Sequence, residues 1–171
     1  TKTPAPLKIP TMPAPLTRTG VGFRIFKEVV IFESLFKSNK ATWLFGWLFH
    51  FGLFLDMLRH LRYFIDPIWG WVAFIQPFGK YWSILMVVGL LGLLGRRIFV
   101  DRVRYISSPS DHLMLVLLLA ISSTGIAMSF YLGADVISVK SFFIGLFTFD
   151  IQYIPPDPIL ISHLIMVAFL M

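Results

Sequence analysis

The 171-residue chain is 57% hydrophobic and only 14% charged, with 18 Phe, 5 Trp, no cysteine and a formal net charge of +6. Ordinary soluble domains carry about 25% charged residues, so the composition excludes a water-soluble globule and implies an all-α integral membrane bundle. The lack of cysteine excludes disulfides, cysteine-held iron–sulfur clusters and C-x-x-C-H haem attachment within this chain. Any metal cofactor held here must use His, Met or carboxylates.

Residues 1–20 contain five of the eleven prolines, in TPAPLKIPTMPAPL. Such a segment cannot be helical and reads as an extended strap. Residues 22–38, GFRIFKEVVIFESLFKS, place Arg24, Lys27, Glu28, Ser34 and Lys37 roughly on one helical face. That pattern predicts an amphipathic helix lying in the membrane interface, with a surface helix packed on a partner as the alternative. Residues 1–40 thus form a unit ahead of a membrane domain over 41–171.

Four apolar spans follow, at about 41–65, 80–100, 110–132 and 158–171, the first three long enough for a bilayer. The fourth, Pro158 followed by ILISHLIMVAFLM, stops at Met171 short of the roughly 20 residues a spanning helix needs. The native chain is therefore expected to continue beyond Met171. Thr1 is not an initiator, and no signal-peptide pattern follows it. The first connection carries IDPIWGWVAFIQP with interfacial Trp69 and Trp71, and the last, over 133–157, contains SFFIGLFTF, too short to span and expected at the surface. There is no internal repeat and no alternation suggesting a β-barrel.

Lys and Arg set the orientation. Seven of them, Lys2, Lys8, Arg18, Arg24, Lys27, Lys37 and Lys40, precede the first span, and Arg96, Arg97, Arg102 and Arg104 surround the turn between the second and third. The positive-inside rule places residues 1–40 and that turn on the cytoplasmic side of an inner (cytoplasmic) membrane. The first span then runs outward, the second inward, the third outward and the fourth inward.

Within the first span, WLFHFGLFLDMLRHLR carries His50 and His60. Ionisable groups inside a membrane are costly and usually functional. Ten residues separate these two histidines by roughly 15 Å along a helix and about 80° in rotation. One metal could not bind both, but two stacked cofactors could. His60 lies near the outer end of its span and His163 five residues inside the outer end of the fourth. Their similar depth lets one haem sit between them with an imidazole on each axial face. His50 is deeper and needs a separate partner. His112, after Ser110 and Asp111 at the cytoplasmic start of the third span, is too shallow to serve. Two alternatives stay open: the histidines hydrogen-bond to neighbouring helices, or they form a proton path. A zinc site would need four convergent ligands, and these are dispersed.

The motifs FHFGLFLDMLRHLRYF, RRIFVDRVRYISSPSDHLMLVLLLAISSTGI and ILISHLIMVAFLM resemble the respiratory nitrate reductase gamma-subunit family of dihaem membrane cytochromes b. The strap TPAPLKIPTMPAPLTR, with IFESLFKSNK and WLFGWLFH, is most similar to its DsrM-type members. The resemblance covers nearly the whole chain. It implies five transmembrane helices in the full protein and two stacked, non-covalent, bis-histidine b haems. His60 and His163 match the ligands of the outer haem. His50 matches one ligand of the inner haem, whose second would fall past Met171. Lys80 matches a lysine of the quinol site, a reading set against a lysine snorkelling at a helix end.

The resemblance further implies electron exchange between a quinone, menaquinone or ubiquinone, and a cytoplasmic iron–sulfur partner of the heterodisulfide-reductase type. Other membrane subunits would join it in a complex of dissimilatory sulfur metabolism. Arg59 and Arg62 flank His60 and are candidates for haem propionates or for snorkelling, while Asp56 is placed to pair with Arg59. The four arginines of the second turn serve either partner docking or topology and anionic lipids. No nucleic-acid partner is expected. The rival functions are the gamma subunit of nitrate reductase itself and a non-haem transporter or proton-relay subunit.

Overall fold

The computed structural model describes residues 17–133 and 135–171, so the predicted strap lies almost entirely outside them. All regular structure among the described residues is helical: α1 Arg18–Val30, α2 Glu33–Ser38, α3 Lys40–His60, α4 Gly70–Phe99, α5 Asp101–Ile106, α6 Pro109–Ala127, α7 Val136–Thr148 and α8 Pro158–Leu170. A 3-10 turn, Leu61–Tyr63, extends α3, and a π turn, Met128–Leu132, extends α6. With these extensions Lys40–Tyr63, Gly70–Phe99 and Pro109–Leu132 are long and apolar enough to cross a membrane.

The amphipathic helix expected over 22–38 is two helices. Phe32 between them adopts a left-handed backbone, φ 54°. The break is stabilised by the side chains that capture the freed backbone groups. Trp43 Nε1 donates to Ile31 O at 2.6 Å and Trp47 Nε1 to Val30 O at 3.1 Å. Glu28 accepts from the Ser34 amide at 3.1 Å and from its hydroxyl at 2.8 Å. Those two donors hold the Glu28 carboxyl below its ordinary range.

The second span starts at Gly70 rather than near 80, so Trp71 and most of the expected first connection are helical. Pro77 sits inside α4 and removes one backbone donor. Next to it, the Gln76 amide donates to Val72 O and to Arg59 O, both at 3.2 Å. Through Arg59 O this amide ties α4 to the last turn of α3. The apolar stretch SFFIGLFTF falls in α7, which is pinned to the first connection by Lys140 Nζ–Asp66 Oδ1 at 2.8 Å and by Phe64 against Phe143.

Helices α3 and α4 pack closely because glycines face the contact. A Cβ at Gly52 would lie 2.7 Å from Met86 Cβ and 2.9 Å from Trp82 O, and one at Gly89 would lie 2.7 Å from Phe45 O. In lipid, where apolar association gives little drive, backbone proximity through small residues supplies the packing energy. Val72, Met86 and Leu90 of α4 form the buried core. Beyond it α4 packs on α6 and α6 on α8, an arrangement that brings the N-terminal half of α8 to the C-terminal end of α3.

Candidate functional site

The antiparallel return of α8 brings His163 to His60. Their ring centroids are 6.5 Å apart and the ring planes lie within 2° of parallel. Two metal–imidazole nitrogen bonds of about 2 Å, with about 1.2 Å from each nitrogen to its ring centre, give a span of about 6.3 Å. Parallel imidazoles this far apart leave room for one metal ion between facing ring nitrogens. The His60 side chain keeps 40% of its exposure, so the pair is open on one side.

Hydrogen bonds assign the free nitrogen of each ring. His60 Nδ1 lies 2.7 Å from Asp56 O, and a carbonyl only accepts, so Nδ1 carries the proton and Nε2 the lone pair. His163 Nδ1 lies 2.8 Å from Thr124 Oγ1 on α6. An Nδ1–H bonded to a carbonyl or hydroxyl is the usual support of a metal-ligating histidine. Among the described residues no three His, Asp or Glu side chains converge. What the structure brings together is a pair of imidazoles, His60 and His163.

His50 stands ten residues earlier on α3, roughly 15 Å along the axis from His60. Its Nδ1 bonds Gly46 O at 2.7 Å, and its ring meets Phe32 and Phe49 edge-on at 5.2 and 4.7 Å. No histidine among the described residues faces it. His112 Nδ1 contacts Ser108 O at 3.0 Å in the first turn of α6, beside the Ser108–Asp111 capping box. Bonding to the carbonyl four residues back is thus common to His50, His60 and His112 and does not by itself mark a ligand. What sets His60 and His163 apart from the others is the cross-helix partner of His163 and the parallel approach of the two rings.

Arg59 is buried against Gly79 of α4 and donates from Nη2 to Ser129 Oγ at 3.0 Å, with Asp56 Oδ1 at 3.9 Å from Nη1. The predicted Asp56–Arg59 pairing is present, although Asp56 Oδ2 also approaches His60 Nδ1 at 3.6 Å. Arg62 donates to Gln76 Oε1 at 3.2 Å and to the Tyr63 hydroxyl at 2.6 Å, while its Nε is buried without a partner among the described residues. Lys80 is not at a helix end. It stands ten residues inside α4, with Nζ 4.3 Å from the centre of the Phe130 ring. The Lys80 side chain thus lies along α4 against the π turn of α6 rather than at the first turn of its helix.

Thr124, Ser129, Phe130 and Gln76 are site residues that the sequence reading did not single out. The signal available for Thr124 was the polar run Ser122-Ser123-Thr124 in an otherwise apolar span. Ser129 and Phe130 sit on the π turn, and π segments recur at functional sites. A groove of about 600 Å³ between Asp66 and α7, lined by Lys140, Thr148 and Gln152, includes none of the histidines.

Residues 33–171 match the family model described as "Nitrate reductase gamma subunit". The chain is 36% identical over 185 aligned positions to the "Hdr-like menaquinol oxidoreductase cytochrome b-like subunit" of Archaeoglobus fulgidus, covering 92% of this chain and 56% of that protein. It is 29% identical to the protein of the same description from Archaeoglobus profundus, covering 93% and 59% respectively. The chain therefore spans somewhat over half the length of these curated relatives. No solved structure matches it.

Proposed function

The chain belongs to the nitrate reductase gamma subunit family, and we propose that it is the membrane cytochrome b subunit of a quinol-linked oxidoreductase. In this reading it exchanges electrons between menaquinone and a cytoplasmic iron–sulfur partner of the heterodisulfide-reductase type in dissimilatory sulfur metabolism. The observation that carries the proposal is the parallel His60–His163 pair, 6.5 Å apart. Bound haem supplies the one-electron chemistry, and the chain supplies ligands, spacing and dielectric.

His60 and His163 hold the outer haem through Nε2. His50 would supply one ligand to a second, inner haem. Of the two arginines, Arg62 has a donor to offer a propionate, because its Nε is buried and unpartnered. Arg59 is committed to Ser129 and Asp56 and instead keeps the outer ends of α3, α4 and α6 together. Lys80 makes no ion pair or hydrogen bond through Nζ among the described residues, and that leaves it free to donate to a quinone oxygen. Helices α1 and α2 lie on the cytoplasmic face with the arginines of the α4–α6 turn, where the iron–sulfur partner docks.

The relatives' names favour menaquinol over other quinols as the reductant. The test is to purify the full-length complex from its native membrane and add a reduced menaquinone analogue. A reduced b-type absorbance band is expected, with an iron–sulfur subunit copurifying. A colourless preparation returns the histidines to a proton-relay role, and copurified nitrate reductase catalytic subunits assign it to that enzyme instead.

A further inference from the structure

Thr124 has one hydroxyl proton and three neighbours that compete for it or for the oxygen. Its Oγ1 lies 3.0 Å from Ala120 O, 2.8 Å from Ile121 O and 2.8 Å from His163 Nδ1. The two carbonyls can only accept. Were the proton aimed at His163, the hydroxyl oxygen would face both carbonyl oxygens with bare lone pairs. The proton therefore goes to the α6 backbone, and the oxygen accepts from His163 Nδ1–H. The result is a relay of fixed direction, imidazole to hydroxyl to backbone carbonyl. It leaves His163 Nε2 unprotonated and limits rotation of the ring.

The same contact has a mechanical side. α8 packs on α6, and Gly125, the next residue, sets its backbone beside the ring: a Cβ there would lie 3.5 Å from His163 Cε1. Thr124 thus grips one edge of the imidazole while position 125 flanks another. On α3 the equivalent role for His60 is taken by a backbone carbonyl of its own helix, which no side-chain substitution removes. The two ligands are consequently unequal. One is oriented by its own helix, and the other from a different helix, by the Thr124 hydroxyl with the Ile121 carbonyl beside it.

We propose that Thr124 is the positioning residue for the His163 axial ligand, setting its tautomer and ring orientation across the α6–α8 contact. This rests on the reading of His60 and His163 as haem ligands. Outer partners of metal-bound histidines change metal retention by about 10- to 100-fold when removed, and that range sets the expectation.

The experiment compares the full-length protein with Thr124→Val, which keeps the shape but loses the hydroxyl, and Thr124→Ser, which keeps the hydroxyl. Ser122→Ala is the control, since Ser122 Oγ bonds only Leu118 O on its own helix. Haem loss is followed as transfer of protohaem to excess apomyoglobin, and the ferric low-spin electron-paramagnetic signal reports ring orientation. Thr124→Val is expected to lose one haem about 10- to 100-fold faster and to shift that signal. Thr124→Ser and Ser122→Ala should stay within about twofold of the parent, well inside that range. Equal behaviour of Thr124→Val and the parent overturns the proposal, as does equal damage in all three variants or in Thr124→Ser alone. A parent protein with no b haem overturns the underlying ligand assignment instead, and the haem content of the parent is measured first for that reason.

Discussion

Gly89 on α4 is the position where a single methyl group has the clearest consequence. A Cβ there would sit 2.7 Å from Phe45 O, 2.8 Å from Phe49 N and 3.2 Å from Leu48 Cβ. The two nearest atoms are backbone of α3, so no rotamer change relieves the clash. Ordinary carbon contacts begin near 3.5 Å, and α4 must therefore move away from α3 by several tenths of an ångström. Overpacking of this kind costs about 1–3 kcal/mol. For a chain of this size each kcal/mol lowers Tm by about 2–4 °C. Phe49 immediately precedes His50, so the displacement also reaches the inner histidine. Gly89→Ala is thus expected to lower Tm in detergent and to loosen any haem held at His50 before that at His60. The matched control is Gly22→Ala, in the exposed interior of α1, where an added Cβ meets nothing within 4 Å. The same substitution there is expected to stabilise its helix by about 0.5–1 kcal/mol. Differential scanning fluorimetry with haem absorbance reads both. If Gly89→Ala melts with the parent, the α3–α4 approach described above is wrong.

His60→Ala and His163→Ala are each expected to remove about half of the dithionite-reducible b haem, one centre of the two expected from bis-histidine ligation; full haem content in both variants refutes the pairing. Lys80→Ala is expected to slow haem reduction by menaquinol analogues while leaving dithionite reduction intact, and equal quinol rates in variant and parent would remove Lys80 from the quinone site. Glu28, whose pKa is lowered by the Ser34 donors, favours the folded hinge fully above its ordinary value of 4.5. That contribution is lost as pH falls through the depressed folded value. The protection factor of the Ser34 amide, taken against the intrinsic exchange rate at each pH, should accordingly fall in acid and in Glu28→Gln at neutral pH, and an unchanged protection factor in both would show that the cap does not hold the hinge.

The membrane class, the helical fold and the family were legible in the sequence because each depends on local quantities. Composition alone decides whether a chain can be dissolved in water, and span length decides whether a helix can cross a bilayer. Counting residues along antiparallel helices also brought His60 and His163 to one depth, since rise per residue is fixed. The rotation of one helix about another is not fixed in that way. In a water-soluble bundle the apolar stripe reveals the buried face, but here lipid-facing and protein-facing positions are equally apolar, and α6 carries no such stripe to read. Only the tertiary structure could show that Thr124 faces His163, that the π turn delivers Ser129 to Arg59 and Phe130 to Lys80, and that Arg62 retains an unpartnered Nε. The start of α4 at Gly70 and the break at Phe32 were hidden as well. The break depends on distant side chains, the two indoles of α3 bonding Val30 O and Ile31 O, that satisfy backbone groups the local sequence leaves open, whereas α4 begins at Gly70 without a side-chain cap.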